Sequence, residues 1–494
     1  MDKAKMQKWT ALFVKIYIFA LVLYQTLWQI VPVRVFLLNT GLDIISPALA
    51  VLGFAFLVAD VFIEKTVFQS KYCIFLIAVV AIMGISSLLY INYGWIDNAK
   101  VIVWQVVQMF LLYSLYLRMD SKQIKIYLGY IFGVVSVIFM MAVIVSLCQF
   151  LFQTSYNVQM DGGVYRQGFQ EGRLFGIFGN INHASLLMCF MGIGAIYCLT
   201  ILNKKWLKIL MGIQTMLSFI YVVLTGTRSA LVCMIFAVIL CAFVSMRNIA
   251  YKKNFCKLKF RRFICAAGVS IICAGMLFAI YLGVHKVMVK IPVWIGTANL
   301  AVNDGEDLPS DIITEPDRQD INSGDISNNR FKIWNNYLQC DFSNIKSILF
   351  GYSPGNYMKI IKDNFPDYYI VEYAQEKYPQ AYIENQIYET HNSYLTLLTG
   401  TGLVGFVIMG AFLVLSVLSA LKCFITRRYI SNYAILLMVM LGMILIFNIF
   451  ESVLFYAYTS ISVVFWLMMG ILAKETELTE IAADTAAQTV LTCK

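Results

Sequence analysis

The sequence predicts an all-α protein that crosses a membrane about twelve times. Of its 494 residues, 60% are hydrophobic and only 13% are charged, whereas soluble globular proteins average roughly 45–50% apolar and about 25% charged residues. The mean hydropathy of +0.73 agrees with a chain that lies largely in lipid. Apolar runs of about 18 or more residues recur, and such runs can span a bilayer as helices. They lie near 11–32, 43–63, 73–91, 98–117, 126–152, 183–201, 207–225, 228–246, 263–284, 393–421, 431–452 and 455–473.

The distribution of positive charge predicts the orientation of these spans. If the N-terminus is inside, the inner connections are rich in lysine and arginine, and "RNIAYKKNFCKLKFRR" (247–262) alone carries seven. The short outer connections carry only Arg34, Lys100, Arg166, Arg173 and Arg228. This bias predicts cytoplasmic termini. The net charge of +10 then reflects topology and contact with anionic lipid head groups, not nucleic-acid binding.

The first apolar run is not followed by a small-residue cleavage site, so we interpret it as a retained helix and not as a signal peptide. Residues 1–284 would hold nine spans with an outer loop at 153–182. Residues 285–392 would form an extracytoplasmic loop domain, because a structureless loop of this length is unusual. Residues 393–473 would hold three more spans, and 474–494 a cytoplasmic tail.

The loop domain begins with an acidic stretch rich in turn-forming residues at 303–325, which is typical of a solvated linker. Calcium binding there lacks an ordered ligand spacing. A tyrosine-dense stretch follows "FGYSPGNY" (350–357), a glycine–proline turn. Its flat rings with hydroxyl tips suit sugar rings and a membrane interface equally well, and the sequence leaves both readings open.

Between these stretches, "SNNRFKIWNNYL" (327–338) predicts a short amphipathic helix. Its residues Phe331, Trp334 and Leu338 recur at i, i+3 and i+7, with Ser327 or Asn328 as the cap.

Two arginines on the outer side are candidates for anion binding. Arg228 opens the eighth span in "LTGTRSALV" (224–232), where helix-terminal N–H groups already favour anions. Its planar fork matches phosphate oxygens, although an arginine reaching the head groups is the simpler alternative. Arg173 has a similar position in "EGRLFGIFGNINHAS" (171–185), where Gly172, Gly176 and Gly179 allow sharp bends.

Further polar residues near the predicted outer face are candidates for binding the diphosphate or the substrate: Asn180, Asn182, Arg330, Asn392 and Glu451. Asn180, Asn182 and His183 would supply neutral hydrogen bonds before the sixth span, or simply cap it. Arg330 would add a cation on the loop helix, or lie on its solvated face. Glu451, at the outer end of the eleventh span, would pair with an arginine.

His391 is the only histidine of the predicted loop domain apart from His285 at its first residue. Its unperturbed pKa of about 6.5 suits proton transfer at neutral pH. The alternative is a polar residue that caps the tenth span. His285 lacks supporting neighbours in the sequence, and we assign it to the membrane interface.

Several kinds of site are not indicated. The chain has no CxxC pair, no HExxH and no Walker-type loop, so neither a metal nor ATP nor another cofactor is expected. Of the twelve cysteines, only Cys340 falls in the large outer segment, so no disulfide framework is implied there.

Four motifs occur in a familiar order: "GRLFGIFGNINHAS", "LTGTRSALV", "NNRFKIWNNYL…ILFGYSPGNY" and "HNSYLTLLTGTGLVG". Together they resemble the O-antigen ligase and O-antigen polymerase family of bacterial envelope glycan enzymes. The resemblance covers roughly 170–460, and residues 1–150 match only as hydrophobic helices. The family prefers Asn-Pro-Asn where this chain has Asn180, Ile181 and Asn182.

The resemblance implies a membrane glycosyltransferase that uses sugars on undecaprenyl diphosphate at the outer face of the bacterial cytoplasmic membrane, without a metal or cofactor. The family's arginines fall on Arg173, Arg228 and Arg330, and its histidine–asparagine pair falls on His391 and Asn392. Arg173 and Arg228 would bind the diphosphate, and His391 would accept the proton of the attacking hydroxyl.

The implied partners are a lipid-linked donor, a glycan acceptor and membrane lipids, with a flippase and a chain-length regulator as further candidates. We favour a polymerase of repeat units over a ligase of finished glycan, because a composition rich in Lys, Ile and Asn suggests a host without a lipopolysaccharide core. A flippase would be expected to show internal repeats and cations lining a midplane cavity, which the sequence does not indicate. A sensor or structural membrane protein is the remaining alternative.

Overall fold

The computed structural model describes residues 3–160, 163–252, 259–297, 329–427 and 429–492. The predicted acidic linker at 303–325 and the predicted helix caps Ser327 and Asn328 lie outside the described residues. The helices are, in chain order, α1 (Lys3–Trp28), α2 (Val31–Asn39), α3 (Ile45–Ile63), α4 (Cys73–Leu89), α5 (Ile96–Val106), α6 (Leu115–Arg118), α7 (Ser121–Leu151), α8 (Ile181–Ile201), α9 (Lys205–Thr225), α10 (Arg228–Lys252), α11 (Lys259–Met288), α12 (Ile291–Trp294), α13 (Arg330–Asp341), α14 (Ile345–Phe350), α15 (Tyr357–Asn364), α16 (Tyr369–Lys377), α17 (Pro379–Ile383), α18 (Ser393–Thr426), α19 (Asn432–Phe447) and α20 (Ser460–Thr492).

Helices cover each of the apolar runs that the sequence marks as a span. Within the described ranges, nine helices are long and apolar enough to cross a membrane, and α4 and α19 are shorter apolar helices. A π-helical segment, Val107–Leu112, joins α5 to the short α6 inside one of the nine. The chain is therefore an all-α polytopic membrane protein, and the number of twelve spans stays a prediction.

Three boundaries differ from those expected. Helix α1 ends at Trp28 because Ile30 forms a bridge with Phe178, and the predicted first connection instead contains α2. The ninth span continues past His285 to Trp294, so the boundary predicted at 285 falls inside it; the apolar residues after 285 extend the span. Helix α20 runs through residue 492, so the predicted tail at 474–494 begins as the continuation of the last span.

The outer loop at 153–182 contains a small sheet that the sequence analysis did not predict. Strands β1 (Ser155–Met160), β2 (Gly163–Gln170) and β3 (Arg173–Gly176) form an antiparallel sheet in the order β1-β2-β3. The connection from β2 to β3 has two residues, Glu171 and Gly172, with φ of 50° and 65°. Two positive φ values match the right-handed twist of a hairpin, so this turn brings Arg173 opposite Gln170.

The membrane-embedded part has one extended hydrophobic core. Its largest fully buried side chains are aromatic, and three of them come from distant segments. Tyr113 lies 5.6 Å from Phe412 of α18 and 6.4 Å from Trp466 of α20, measured between ring centroids. Edge-to-face contacts of this kind stabilise beyond the apolar area that they bury. They join Tyr113, in the first quarter of the chain, to two long helices near its end, α18 and α20.

The loop domain has a second core of its own, built from α13, α15 and α16 against the start of α18. Its buried side chains are Ile333, Tyr337, Cys340, Tyr352, Tyr357, Ile360, Ile361, Ile370, Val371, Ala374, Ile387, Leu395 and Leu398. Because Leu395 and Leu398 belong to α18, this domain is packed onto a membrane helix and not tethered by a linker alone.

The predicted loop helix exists as α13, but the face predicted to be buried was partly wrong. Phe331 is 70% exposed and Leu338 39% exposed, whereas Ile333 and Tyr337 are fully buried. Trp334 is partly buried and its indole donates to the Thr390 carbonyl oxygen at 2.9 Å. The neighbouring helices decide which face of α13 is buried. The periodicity of a single segment does not show where those helices lie.

A break in α18 receives the glycine–proline turn of the loop domain. Gly402 has φ of 64° inside the helix, a conformation that L side chains rarely adopt. The turn at 351–354 is buried there, and the Tyr352 N–H donates to the Thr399 carbonyl oxygen at 2.6 Å. The break therefore fixes the loop domain on the bundle and orients the beginning of α18.

Candidate active site

Arg173 is held at one end of the bundle, the end predicted to face outward, by the β2–β3 hairpin. Its Nε donates to the carbonyl oxygen of Thr225, the last residue of α9, at 2.9 Å. Strand β3 continues to Gly176, whose φ of 65° turns the chain towards α8. The Ile177 N–H then donates to Ser146 of α7 at 3.1 Å. The arginine is thus fixed between three elements.

Arg228 begins α10 directly after the turn that Arg173 contacts. Gly226, with φ of 59°, ends α9 in the left-handed conformation typical of helix C-termini. The hydroxyls of Thr225 and Thr227 lie 2.9 and 3.1 Å from the Ser185 hydroxyl of α8. Arg173 and Arg228 therefore flank one turn, and that turn is bonded to α8.

Asn180 caps α8 at the next step of the chain. Its side-chain oxygen accepts from the N–H groups of Asn182 and His183 at 2.9 and 3.2 Å, as an N-cap side chain does. The capping alternative that the sequence left open thus describes Asn180. Its cap directs the side chains of Asn182 and His183 towards Glu451.

Glu451 falls within the eleventh predicted span (431–452), but it does not lie on a helix. Helix α19 ends at Phe447, and the carboxylate is carried by the irregular segment that follows. This segment ends where α20 begins, at Ser460. Glu451 is only 3% exposed. A buried charge is costly unless it is paired and hydrogen-bonded, and the groups around Glu451 satisfy that requirement.

The two oxygens of Glu451 face different groups. Oε1 accepts from the Asn182 amide at 2.6 Å and from Nη2 of Arg330 at 3.2 Å. Oε2 lies 4.0 Å from Nε2 of His183 and 3.8 Å from Nδ1 of His391. One buried carboxylate thus joins the start of α8, the start of α13 and the segment before α18.

His391 is held in an unusual backbone conformation between two bonded neighbours. Its φ is 46°, in the left-handed region that non-glycine residues seldom occupy. The Thr390 hydroxyl lies 2.6 Å from the Ser452 hydroxyl, and the Asn392 N–H donates to Ser452 at 3.0 Å. Strained residues held by their surroundings cluster at functional sites. The histidine side chain remains 28% exposed.

Ser393 ties this segment to the backbone around Glu451. It is fully buried. Its N–H donates to the Glu451 carbonyl oxygen at 3.1 Å, and its hydroxyl accepts from the N–H groups of Val453 and Leu454 at 2.9 and 3.1 Å. The hydroxyl also lies 2.5 Å from Oδ1 of Asn448. Ser393 is therefore a positioning residue that sets His391 relative to Glu451.

Asn392 serves this arrangement as a helix cap. Its side-chain oxygen accepts from the N–H groups of Tyr394 and Leu395 at 2.9 and 3.1 Å. This leaves its role as a substrate ligand an untested prediction, as it is for Asn180. An asparagine follows His391 because its side chain caps α18.

The charges of the cluster shift the pKa values of Glu451 and His391 in opposite directions. Burial alone would raise the pKa of Glu451, but His391, His183 and Arg330 outweigh it and hold that pKa below its usual range. Burial alone would lower the pKa of His391, but the carboxylates of Glu451 and Glu389 outweigh it and raise that pKa. Together, these pKa shifts favour an ionised Glu451 beside a more basic His391 imidazole.

The structure brings the predicted residues into two adjacent groups. Arg173 and Arg228 flank the α9–α10 turn, and Asn182, Arg330 and His391 converge on the carboxylate of Glu451. The first turns of α8 join the groups, because Asn182 contacts Glu451 and Ser185, on the next turn, contacts Thr225.

Some of these relationships were not foreseen. The sequence analysis treated Glu451 as a pairing partner for one arginine, but it contacts four side chains. Ser185, Ser393 and Thr225 were not singled out, because a serine or threonine in an apolar run carries no distinctive signal. The stretch "HNSYL" could have pointed to Ser393, since it lies two residues after the histidine.

No group of three or more His, Cys, Asp and Glu side chains within the described residues is arranged to hold a metal ion. The absence of a metal requirement stays a prediction.

Comparison with known proteins identifies part of the chain. Residues 213–410 match the family model Wzy_C, described as O-antigen ligase. The matched range begins in α9, includes Arg228, Arg330 and His391, and ends within α18, while Arg173 and Glu451 lie outside it. No curated protein matches the chain. The match supports the resemblance over residues 213–410, whereas the motif at 172–185 lies outside the matched range.

Proposed function

We propose that this multi-pass membrane protein, whose residues 213–410 match the O-antigen ligase family model, belongs to the O-antigen ligase and polymerase family and is a glycosyltransferase. It transfers a glycan from polyprenyl diphosphate to a sugar hydroxyl at the outer face of the bacterial cytoplasmic membrane. The observation that carries the proposal is the convergence of two cationic groups and a histidine–carboxylate pair at one end of the bundle.

The two groups suit the two halves of a glycosyl transfer. The acceptor oxygen attacks the anomeric carbon and forms the new bond, while the bond from that carbon to the diphosphate breaks and its electron pair passes to the diphosphate. Arg173 and Arg228 stabilise this growing charge, an effect that is often worth several kcal/mol. The acceptor's proton passes to His391, whose imidazolium is stabilised by Glu451.

His391 faces Glu451 with Nδ1. The other ring nitrogen, Nε2, is then the atom that takes the proton from the acceptor hydroxyl. Arg330 and Asn182 keep the carboxylate in place through Oε1, so that Oε2 remains directed at the imidazole. We assign Glu451, Arg330 and Asn182 to positioning and His391, Arg173 and Arg228 to contact with substrate.

A cavity of about 220 Å³ among the membrane helices suits part of the lipid tail of the donor. It lies between α1, α7, α8, α19 and α20 and is lined mainly by apolar side chains. Ser460, which follows the segment bearing Glu451, lies at its border. A polyprenyl chain in this cavity would place its diphosphate near the outer end of the bundle.

We favour the polymerase over the ligase, for the compositional reason given by the sequence. The family description names a ligase. The second candidate is therefore a ligase that moves the finished glycan to a lipid or protein acceptor. A flippase that delivers the donor and a regulator of chain length are the further partners we propose. Both termini are assigned to the cytoplasm on the positive-inside rule.

Reconstitution tests the proposal. The purified chain in liposomes with undecaprenyl-diphosphate-linked repeat units should yield a ladder of longer glycans and free undecaprenyl diphosphate, and EDTA should leave the yield unchanged. A single transfer to a lipid acceptor, without a ladder, would support the ligase.

Two results would contradict the enzyme assignment. One is passage of the lipid-linked unit across the bilayer without a new glycosidic bond, which indicates a flippase. The other is complete dependence on a divalent metal, which is incompatible with charge stabilisation by arginines alone.

A further inference from the structure

Four tyrosines of the loop domain form a continuous set of ring contacts that begins at His391. The Tyr388 ring lies 5.4 Å from the imidazole, and Tyr373 lies 4.8 Å from Tyr388, between ring centroids. Tyr373 also contacts Tyr369 at 5.4 Å and Tyr378 at 6.1 Å. We call Tyr369, Tyr373, Tyr378 and Tyr388 the tyrosine row.

The local fold explains why these rings meet. Tyr369 and Tyr373 are four residues apart on α16 and share one side of it, while Ile370, Val371 and Ala374 bury the adjoining face in the loop-domain core. Tyr378 follows α16 directly. The chain returns after α17, and the Tyr388 N–H donates to the Ile370 carbonyl oxygen at 3.0 Å.

Packing of the domain does not account for the whole row. Tyr369 and Tyr388 pack against the core of the domain, but Tyr373 and Tyr378 do not belong to it. Tyr378 is 52% exposed and Tyr373 is partly exposed. Two large rings therefore lie outside the core: Tyr373 contacts Tyr388, the ring beside His391, and Tyr378 is connected to it through Tyr373.

Cationic and polar groups border the row. Nζ of Lys332 lies 3.7 Å from the centroid of the Tyr369 ring, and Arg166 of β2 is close enough to act electrostatically on Tyr378. Flat faces with hydroxyl tips and neighbouring hydrogen-bond donors match the alternating C–H faces and hydroxyl edges of sugars. Contact with a lipid surface would not require these rings to form a continuous set that begins at His391.

We propose that the tyrosine row is the binding site for the acceptor glycan, with successive sugars stacking from the reacting hydroxyl at His391 over Tyr388 and Tyr373 to Tyr369 or Tyr378. This proposal rests on the proposed function and assigns the side of the reaction that the arginines do not serve. It also selects the sugar-binding reading of the tyrosine-dense stretch over the membrane-interface reading.

Binding of lipid-free glycan tests the proposal without catalysis. The full chain in nanodiscs is titrated, by calorimetry, with oligosaccharides released by mild acid from the lipid-linked repeat unit and its polymers. For the wild type, affinity should rise with oligosaccharide length as further rings are contacted. Tyr373→Ala and Tyr378→Ala should each weaken binding of the longest oligosaccharide by about three- to tenfold.

Matched variants separate ring stacking from other effects. Tyr373→Phe and Tyr378→Phe keep the flat ring and should retain most of the affinity. Tyr130→Ala removes a tyrosine of α7 that is 72% exposed and distant in sequence, and should bind like the wild type. Equal affinity in the wild type and both row alanine variants, with each protein folded, would overturn the proposal and support a membrane-interface role.

Transfer assays on the same proteins separate this failure from failure of the proposed function. If the wild type makes no glycosidic bond, the proposed function fails, whatever the binding data. If the wild type polymerises and the row alanine variants give the same product-length distribution and the same KM for a long acceptor, only the tyrosine row is wrong. The expected result is a raised KM and shorter products.

Discussion

Nδ1 of His391 lies 3.8 Å from Oε2 of Glu451, although in the chain His391 precedes α18 and Glu451 follows α19. The carboxylate is buried and is hydrogen-bonded through its other oxygen to Asn182 and Arg330. A fixed carboxylate behind an imidazole orients the ring and stabilises the imidazolium formed when the ring accepts a proton. The proposed base is therefore the His391–Glu451 pair, and not the histidine alone.

The first prediction concerns the pH dependence of Glu451→Gln. A base must be neutral, so activity falls as pH drops through the pKa of His391. Because Glu451 and Glu389 raise this pKa, the acid limb of kcat/KM in the wild type should lie above the usual histidine value of about 6.5. Glu451→Gln removes one carboxylate, so the limb should move to lower pH while the maximum falls.

Glu171→Gln is the matched control for this prediction. Glu171 pairs with Arg166 at 2.6 Å on the exposed outer loop, and its side chain is 61% exposed. Its removal should leave the pH profile in place. An acid limb that is the same in Glu451→Gln and the wild type would exclude His391 as the titrating base.

The second prediction is that His391→Ala lowers kcat by about 10²–10⁴, the usual contribution of a positioned acid or base. Membrane insertion and thermal unfolding of the purified protein should change little, because the ring is partly exposed and the bonds of Thr390 and Asn392 hold the backbone. His285→Gln, at the end of α11, is the control. Full polymer yield from His391→Ala would contradict the assignment.

The sequence predicted the parts of this fold whose signal is local. Apolar length identified the long helices, and the eighth predicted span begins at Arg228, where α10 begins. The β-sheet was missed because its strands are short and polar, and only their pairing in the structure reveals it. The cluster around Glu451 could not be foreseen, because its members come from four segments that meet only after the helices have packed.

The third prediction separates charge from shape at the two arginines. Arg228→Ala and Arg173→Ala should each reduce kcat by about 10²–10³, as loss of one donor to a developing anion does. Arg228→Lys and Arg173→Lys keep the charge but lose the planar fork, so their rates should fall between those of the alanine variants and the wild type.

Lys100→Ala is the control for net charge at this face of the bundle. Lys100 pairs with Asp97 at 3.0 Å and its side chain is 68% exposed, so its loss should leave the rate unchanged. Lysine variants that are as inactive as the alanine variants would point to a structural role, such as the Arg173 bond to Thr225. The measurement is single-turnover transfer from the lipid-linked donor.

The fourth prediction tests the topology. A tag inserted beside Asp311 should be reached by antibody in intact spheroplasts, while a tag in the connection between α10 and α11 should be reached only after permeabilisation. Cys340 is fully buried, so an impermeant maleimide should modify it only after unfolding. A tag at Asp311 that is reached only in permeabilised cells would reverse the orientation assigned from the charge bias.

The fifth prediction concerns the break in α18, which fixes the loop domain and, through it, the position of His391. At Gly402 an alanine would need a left-handed conformation, and its Cβ would collide with the backbone of Leu349 and Phe350. Gly402→Ala should therefore destabilise the protein by about 1–3 kcal/mol or more. Gly410→Ala, in the same helix, meets nothing within 4 Å, and should change the stability by no more than about 0.5 kcal/mol.

Thermal unfolding of both variants in the same detergent provides the measurement. Because Tyr352 bonds to Thr399 next to the break, loss of the local conformation should also expose the buried thiol of Cys340 to maleimide before global unfolding. Equal melting temperatures for Gly402→Ala and Gly410→Ala would show that the helix accommodates the side chain, and that the break does not hold the loop domain in place.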